Sequence, residues 1–333
     1  MRAFTLCPPK GLDGLTMHEM PSPGPLGPGQ VRIAMRAASL NFRDLMIATG
    51  PSKQDTIPVS DGAGEIAEVA PDVRRVRVGD RVALAFNPDW IGGEWRPSPG
   101  AAGRGGATPG VMREEIVAHE SEVVTLPSHL SFEEGAALPC AGVTAWHSLC
   151  GGAARLLPGM TVLLQGGGGV SLFALQFAKL FGARVIMISS SPERCARLKS
   201  MGADETIDYR AEPAWETAVR KLTGGMGVDL TVEVGGAETV DRSFASTRMG
   251  GRVALVGLLT GLPKLSTSMI ASMVDVTPVK VGSRQDFEDM NRAIAFHKLR
   301  PVIDSRYDFE KLPDAMRHLQ SGRHFGKIVI VFK

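Results

Sequence analysis

The chain has 333 residues, of which 44% are hydrophobic and 22% are charged, a balance that supports a packed core and excludes wholesale disorder. Its net charge of +2 provides no field that would recruit nucleic acid or an anionic membrane. Glycine is the outlier: 39 residues, about 12% of the chain against the usual ~7%. No Gly-X-Y period is present, so collagen is excluded, and the glycines must lie at turns or at close backbone contacts. The length predicts two domains.

The cysteines and the longest uncharged segment indicate in which cellular compartment the protein is expected and whether it crosses a membrane. The four cysteines are scattered and form no C-x-x-C pair, which excludes a disulfide scaffold and a zinc ribbon and fits a reducing, cytoplasmic location. The N-terminus has no apolar signal core. Residues 156–178 carry no charge and are long enough to span a bilayer. They also contain Pro158, Gln165 and five glycines, so we predict a strand, a turn and a helix there instead of a membrane span.

The first 125 residues are rich in strand signals that proline and glycine interrupt. Residues 30–37 alternate as a half-buried strand does, residues 62–70 form another strand, and 76–84 are a turn at Gly79-Asp80 followed by a strand. Residues 88–111 lack periodicity and are predicted to be a long loop. Short strands with long connections indicate a distorted barrel.

The pattern changes near residue 130. Ser131 and Glu134 form a capping box that opens a helix, and a second helix follows at 144–149. Strands are then predicted at 161–165, 184–189, 205–207, 228–234, 252–257 and 277–281, with helices between them at 170–181, 191–201, 215–223 and 237–248. Such alternation predicts a parallel, doubly wound α/β sheet.

The C-terminal elements fit the first domain better than the second. Helices are predicted at 287–297 and 312–321, and a closing strand at 327–332. We therefore expect a barrel-type catalytic domain at 1–125 and 284–333, with a Rossmann domain at 126–283 inserted into it.

The glycine run lies directly between a strand and a helix, where a dinucleotide fingerprint belongs. In Gly166-x-Gly168-x-x-Ser171, the first glycine allows the turn and the second lets backbone N–H groups meet the pyrophosphate at the helix N-terminus. Ser171 replaces the third glycine but is still small. The apolar flanks argue against a flexible linker. Cofactor-binding residues are thus predicted to be Gly166, Gly167, Gly168, Gly169 and Val170.

The end of the second parallel strand bears on which dinucleotide binds. NAD-preferring folds place Asp or Glu there for the ribose 2′-hydroxyl. Here the strand ends in Ser189, Ser190 and Ser191, with Arg194 one turn into the next helix. Hydroxyls and a guanidinium can bind a 2′-phosphate, so NADP(H) is predicted. Alternatively, the serines merely cap the helix and Arg194 is a solvated residue.

Several segments together resemble the medium-chain dehydrogenase/reductase superfamily over almost the whole chain. They are residues 38–45 (ASLNFRDL), 60–65 (SDGAGE), 78–82 (VGDRV), 138–146 (LPCAGVTAW), 165–171 (QGGGGVS), 232–236 (VEVGG) and 324–329 (HFGKIV). The chain looks most like the zinc-independent, quinone-oxidoreductase-like branch that is often labelled zinc-type alcohol dehydrogenase. The resemblance implies a GroES-like catalytic domain, a Rossmann domain, a cleft between them, and a homodimer or tetramer.

The resemblance also gives positions at which to look for zinc ligands. The zinc enzymes of the superfamily carry Cys at the position of Asn41, His at that of Ser60, and a later Cys, which here is Cys140. Asp61 replaces the Glu of the same motif. Catalytic zinc needs three protein ligands, so no metal site is expected, and Cys140 is expected to be a small buried residue beside the nicotinamide.

Without zinc, no Lewis acid polarises a carbonyl, which favours hydride transfer to an acceptor that is already activated. By the resemblance, Asn41 lies at the nicotinamide end and is a predicted catalytic hydrogen-bond donor. Asp44 either orients it or is a carboxylate that favours the helix dipole. Neither Tyr209 nor Tyr307 lies where some superfamily members carry a tyrosine proton donor, so solvent or another group would protonate the product.

Further cofactor contacts follow from the resemblance. Thr144 is expected at the nicotinamide, and Gly235 and Gly257 end later strands on the cofactor side. Tyr209 is expected near the 2′-phosphate, unless it is a surface aromatic. Lys327 is expected to reach the cofactor phosphates, unless it is a surface lysine.

The sequence therefore predicts a zinc-independent, NADP(H)-dependent oxidoreductase that acts on a quinone, an enone or a similar carbonyl compound. Its partner is a small molecule, and neither nucleic acid nor membrane is expected to bind. The alternatives are an alcohol dehydrogenase or carbonyl reductase, and a non-catalytic nucleotide-binding homologue.

Overall fold

The chain folds into two compact units. The computed structural model describes residues 1–51, 55–98, 103–151, 155–257, 259–261, 264 and 266–333. The first unit comprises Met1–Val143 and Gly282–Lys333, and the second comprises Thr144–Val281. The bounds of these units differ from the predicted domain bounds of 125/126 and 283/284, which stay a prediction.

Strands and helices follow each other throughout the chain. Up to residue 136 they are β1 (Arg2–Leu6), β2 (Leu15–Glu19), β3 (Gln30–Ser39), α1 (Phe42–Ala48), β4 (Asp61–Val69), β5 (Arg81–Leu84), β6 (Glu115–His119), β7 (Val123–Thr125) and α2 (Phe132–Ala136). Next come α3 (Val143–Cys150), β8 (Thr161–Gln165), α4 (Gly169–Leu180), β9 (Arg184–Ser189), α5 (Pro192–Ser200), β10 (Glu205–Asp208), α6 (Trp215–Leu222), β11 (Val228–Glu233), α7 (Val240–Ser246), β12 (Thr247–Leu255), α8 (Thr267–Ala271) and β13 (Asp275–Pro278). The last are α9 (Arg284–His297), β14 (Ile303–Asp308), α10 (Leu312–Gln320) and β15 (Lys327–Val331).

The first unit is built on a mixed seven-stranded sheet in which β3 is central. The strand order is β14-β15-β3-β4-β5-β7, and β6 pairs with β3 as well. Along β3 the side chains alternate, so that Val31, Ile33 and Met35 enter the core while their neighbours are more exposed. β15 runs antiparallel to β3 through Ala37–Ser39, which brings the C-terminal strand beside the residues just before α1.

The second unit contains a six-stranded, fully parallel sheet. Its order is β10-β9-β8-β11-β12-β13, which is the order of the doubly wound dinucleotide-binding fold. Buried apolar runs such as Val162–Leu164 in β8 fit strands that are covered on both faces. The strand order reverses between β8 and β11, and the carboxyl ends of these two strands mark the place where such folds bind ligands.

The predicted elements differ from the observed ones at a few boundaries. The predicted helix 237–248 is shorter, because Thr247 is extended and already belongs to β12, where its hydroxyl lies 2.8 Å from that of Thr231 on β11. The last parallel strand ends at Pro278 instead of 281. Of the predicted loop 88–111, residues 99–102 lie outside the described residues; in the rest, neither a helix nor a strand forms.

The uncharged segment 156–178 is divided between β8 and the first part of α4, as predicted. Across the described residues, every helix is too short or too polar to cross a bilayer. None of the four cysteines forms a disulfide.

Candidate active site and dinucleotide cradle

Asn41 lies at the start of α1 in the first unit, and its side chain does not cap the helix. Its extended backbone is the N-cap, and its N–H donates to Asp44 Oδ2 at 2.8 Å. The carboxylate of Asp44 therefore holds the backbone of Asn41 from within the first turn. This bond fits a carboxylate at the start of the helix, and the role of Asp44 in orienting the Asn41 amide stays a prediction.

The side chain of Asn41 is part of a buried hydrogen-bonded chain with a defined direction. Lys327 Nζ donates to Asn41 Oδ1 and to Leu40 O, both at 2.5 Å. Asn41 Nδ2 lies 3.3 Å from Ser60 Oγ, which in turn donates to Asp61 Oδ1 at 2.7 Å. An ammonium can only donate, so Oδ1 must face Lys327, and Nδ2 faces Ser60. The same amide also bonds the carboxylate at the end of the chain, since a side-chain hydrogen bond from Asn41 lowers the pKa of Asp61.

The two ends of this chain carry opposite charges in a dry environment. Lys327 is only 3% exposed and Asp61 is fully buried. Burial raises the pKa of Asp61, and Lys327, Ser60 and Asn41 oppose that shift. Burial also lowers the pKa of Lys327, against the attraction of Asp61. Each buried charge is thereby compensated through the other, with Asn41 and Ser60 between them.

Asp44 is a second buried carboxylate beside this chain. It is 2% exposed, and burial raises its pKa to about 6, although Arg43 and the Asn41 N–H favour the charged form. Arg43 Nη1 lies 3.4 Å from Asp44 Oδ1 and donates to Arg104 O at 2.7 Å. Burial therefore shifts the pKa of Asp44 toward neutral pH, beside the backbone of Asn41.

The donor set around Asn41 does not fit a catalytic zinc ion. Throughout the described ranges, no group of three His, Cys, Asp or Glu residues is placed to hold a metal. Cys140 donates its backbone N–H to Asp61 Oδ2 at 2.9 Å, and burial followed by the charge of Asp61 raises the pKa of its thiol. The ammonium of Lys327 stands in the same cluster, where it would compete with a cation.

The glycine run joins β8 to α4 in the second unit as the fingerprint predicts. Gly166 has φ of +73°, which favours glycine, and donates its N–H to Ile188 O at 2.7 Å. Gly168 is the N-cap of α4, while Gly169 and Val170 open the helix. Ser171 is 2% exposed and its hydroxyl donates to Gln165 O at 2.5 Å, which supplies the close helix–strand packing expected of this position.

The space in front of this turn suits a dinucleotide. A Cβ added at Gly166 or Gly168 would meet no heavy atom within 4 Å. The first turn of α4 presents unbonded N–H groups and the positive end of the helix dipole, which together suit a pyrophosphate. The residues of this cradle therefore fit the cofactor that the fold implies.

The residues predicted near the 2′-phosphate meet at the carboxyl ends of β9 and β10. Ser189 is buried, and its carbonyl accepts the N–H of Tyr209 at 2.9 Å. The N-cap of α5 is Ser191, whose hydroxyl accepts the N–H of Arg194 at 3.3 Å. Ser190 is half-buried between them, and Tyr209 is 38% exposed.

One acidic residue at this edge, Asp208, is not predicted from the sequence. Asp208 is paired with Ser189 in the register of β10 and β9, and its carboxylate accepts the N–H of Arg210 at 2.9 Å. Only the register places it there, because it lies on the third strand and not at the end of the second.

The remaining predicted residues divide between the two units. Gly257 packs so tightly that a Cβ would lie 1.6 Å from Val234 O, and one on Gly235 would lie 2.2 Å from Thr239 Oγ1. Thr144 is buried in α3, where its carbonyl accepts the hydroxyl of Ser148. Lys327 is not the surface lysine of the alternative interpretation, since it lies buried against Asn41 in the first unit. The cofactor contacts of Thr144, Tyr209, Gly235, Gly257 and Lys327 stay predictions.

The fold and these two sets of residues define a nucleotide-dependent dehydrogenase or reductase. Residues 27–128 match the family model of the alcohol dehydrogenase GroES-like domain, and residues 169–296 match that of the zinc-binding dehydrogenases. A zinc-type alcohol dehydrogenase-like protein of Schizosaccharomyces pombe is 37% identical, over 96% of each chain. The chain belongs to the medium-chain dehydrogenase/reductase superfamily, with its GroES-like and Rossmann domains, as the sequence analysis predicted.

Solved structures of the same fold differ in the cofactor and the activity that their names give. An NAD-dependent alcohol dehydrogenase is 32% identical with a TM-score of 0.87, covering 99% of each chain. A quinone oxidoreductase of Pseudomonas syringae is 27% identical with a TM-score of 0.84, covering 99% of each chain. A mycobacterial protein solved with NADPH is 28% identical with a TM-score of 0.82, covering 99% of this chain and 100% of its own. The protein is thus an alcohol dehydrogenase-like oxidoreductase that uses a nicotinamide cofactor.

Proposed function

We propose that the protein is a zinc-independent, NADP(H)-dependent oxidoreductase that reduces a quinone, an enone or a similarly activated carbonyl compound in the cytoplasm. The hydrogen-bonded chain from Lys327 through Asn41 and Ser60 to Asp61 carries this proposal. By the resemblance, Asn41 and Ser60 stand where zinc enzymes of the superfamily carry two of their metal ligands, and the chain holds the Asn41 amide in a fixed orientation.

Asn41 has the chemistry of a donor to an acceptor oxygen. Negative charge develops on that oxygen when a hydride is added to a quinone or to the β-carbon of an enone, and a fixed N–H stabilises it. Lys327 polarises the amide by donating to Oδ1, which makes the Nδ2–H a stronger donor. When bound, the nicotinamide dinucleotide supplies the hydride. Solvent or another group would then protonate the product.

The preference for NADP(H) is supported by the hydroxyls and the guanidinium at the carboxyl end of β9. Ser189 ends the strand, Ser190 follows it, and Arg194 lies in the first turn of α5. A 2′-phosphate would meet donors from this loop and the side chain of Arg194. The carboxylate of Asp208 on β10 accepts the backbone N–H of Arg210 at this edge.

A second candidate function is favoured by the names of the relatives. The S. pombe relative and the NAD-dependent structure are both described as alcohol dehydrogenases or alcohol dehydrogenase-like. A carbonyl reductase or alcohol dehydrogenase acting on a small molecule would use the same cradle and the same amide donor.

An anaerobic substrate screen separates the two functions. Oxidation of NADPH and of NADH is followed with quinones, enones and aldehydes, and reduction of NADP⁺ and NAD⁺ with simple alcohols. We expect turnover with quinones or enones, and well below one zinc per chain by elemental analysis. Turnover confined to alcohols and aldehydes, or stoichiometric zinc, would support the second candidate.

The role of Asn41 is tested in the same assay. Asn41→Ala should lower kcat by about a hundredfold, as for loss of one fixed oxyanion donor, with cofactor affinity within about twofold of wild type. Asn291→Ala is the matched control, since Asn291 is a buried amide of the same unit that donates to Thr125 O. Unchanged turnover of the Asn41 variant would remove it from the reaction.

A further inference from the structure

Glu233 is a fully buried carboxylate at the carboxyl end of β11, and neither the fingerprint nor the Asn41 chain uses it. Its side chain is 0% exposed, and among the described residues the groups that donate hydrogen bonds to its carboxylate are all neutral. A buried charge of this kind is stable only when hydrogen bonds replace its water. Glu233 accepts five of them.

The five donors come from the ends of two strands and the helix that follows. Oε1 accepts the N–H of Gly235 at 2.6 Å, that of Gly236 at 2.8 Å, and the Thr239 hydroxyl at 2.6 Å. Oε2 accepts Gln165 Nε2 at 2.7 Å and the hydroxyl of Ser243 on α7. The carboxylate therefore fixes the whole turn between β11 and α7.

Gln165 connects this turn to the glycine run. Because its Nε2 donates to Glu233 and Ser243, its Oε1 must face the other way, and it accepts the N–H groups of Val234 and Gly235 at 3.1 and 3.2 Å. Gln165 immediately precedes Gly166, and its carbonyl holds the Ser171 hydroxyl. One residue thus anchors both the fingerprint turn and the turn after β11.

The loop after β12 is tied to the same network. The carbonyl of Glu233 accepts the N–H groups of Val256 and Gly257 at 2.9 and 3.0 Å, and the carbonyl of Gly235 accepts that of Thr260 at 2.9 Å. Three carboxyl-end loops of the sheet therefore converge on Glu233. The Gln165–Glu233 pair bridges β8 and β11, the two strands between which the strand order reverses.

We propose that Glu233 is a positioning residue of the dinucleotide site, which acts through Gln165 and the Gly235–Thr239 turn to hold three loops in the geometry that the cofactor needs. This inference rests on the proposed function, because it presumes that the crevice at this strand reversal binds a nicotinamide dinucleotide. Glu233 itself touches no part of the cofactor in this proposal. All the hydrogen bonds of its carboxylate go to the residues that support the binding surface.

The test uses the full chain with Glu233→Gln, which keeps the shape of the side chain but turns one acceptor into a donor that faces N–H groups. We expect the dissociation constants of NADPH and NADH, measured by fluorescence titration, to rise together by at least about tenfold, as for loss of hydrogen bonds to a charge. The NADPH/NADH ratio should stay constant, and kcat at saturating cofactor should stay within about twofold.

Two further variants keep the experiment decisive. Thr239→Val removes a single donor and should weaken both cofactors by a smaller factor, about threefold, so it decides the matter if Glu233→Gln fails to fold. Glu134→Gln alters a buried carboxylate of the first unit that binds Ser131 and Arg300, and should lower the melting temperature without changing either dissociation constant.

The outcomes separate the inference from the proposed function. If wild type binds neither NADPH nor NADH, the proposed function fails and the inference fails with it. If wild type binds but folded Glu233→Gln or Thr239→Val binds equally well at a lower melting temperature, Glu233 is merely structural and only the inference is overturned.

Discussion

At the scale of single residues, Asp44 is a buried carboxylate that holds the backbone of Asn41 but lowers the free energy of unfolding when it is charged. Its pKa is raised to about 6 in the folded chain, against an ordinary value of 3.8. The folded state therefore holds the proton more tightly than the unfolded state, and stability falls as pH rises between these two values. Above about pH 6 the full penalty applies, on the order of 3 kcal/mol.

Asp44→Asn should accordingly stabilise the protein in a pH-dependent manner. The neutral amide still offers an oxygen to the Asn41 N–H but has no charge to desolvate. The gain in unfolding free energy over wild type should grow from about pH 4 to about pH 7 and then level off. Denaturant unfolding at several pH values measures it, and an effect that is equal at every pH would contradict the assigned cause.

Arg194 offers a prediction on cofactor choice. Arg194→Ala should weaken NADPH by about tenfold, as for a charge-assisted hydrogen bond, while NADH affinity stays the same. Arg197→Ala is the control, because Arg197 is an exposed arginine in the last turn of the same helix. Equal losses for the two cofactors would show that Arg194 does not bind a 2′-phosphate.

At the scale of elements, the turn between β8 and α4 is a place where a substitution should affect cofactor binding without affecting the stability of the fold. Gly168 has φ of −79°, which alanine adopts readily, and its Cβ would point into open space. Gly168→Ala should therefore leave the melting temperature unchanged or slightly higher, yet weaken NADPH by at least about tenfold because the methyl group fills the place of the pyrophosphate.

Gly257→Ala provides the contrast within the same sheet. Its Cβ would lie 1.6 Å from Val234 O, so the chain must shift before any cofactor is present. A large fall in melting temperature is expected for this variant. If Gly168→Ala also unfolded the protein, or bound NADPH as wild type does, the cradle assignment would be wrong.

Elements also differ in how far the sequence predicts them. The parallel strands β8 and β9 are predictable because each is a mostly apolar, buried run that is followed by a glycine or a serine. β2, β6, β7 and β14 were not predicted, since they are short or largely exposed and gain their pairing from distant residues; β6, for example, pairs with β3.

Asn41 could be predicted from its motif, but its partner Lys327 could not, because 286 residues separate them. Glu233 was within a quoted motif, yet its role depends on five donors that only the fold brings together.

At the scale of the whole molecule, the sheet of the second unit ends in a strand that suits association of two chains. Within the described residues β13 pairs with β12 alone, and Val276 on this strand is 42% exposed, while nearby Ile270 and Met273 are about 70% exposed. An open, partly apolar edge of this kind favours pairing with a second copy. We propose that two chains associate through β13.

The proposal predicts the mass of the protein in solution and its response to one charge. Wild type should elute with light scattering at twice the chain mass, and Val276→Lys should shift it to a single chain, because an unpaired ammonium at the centre of the new sheet would lose its water. Phe296→Lys is the control: Phe296 is 82% exposed on α9 of the first unit, so its replacement should leave the mass unchanged. If wild type is a monomer, the proposed contact does not exist. If the dimer withstands Val276→Lys but is lost in Phe296→Lys, the contact between the two chains lies elsewhere.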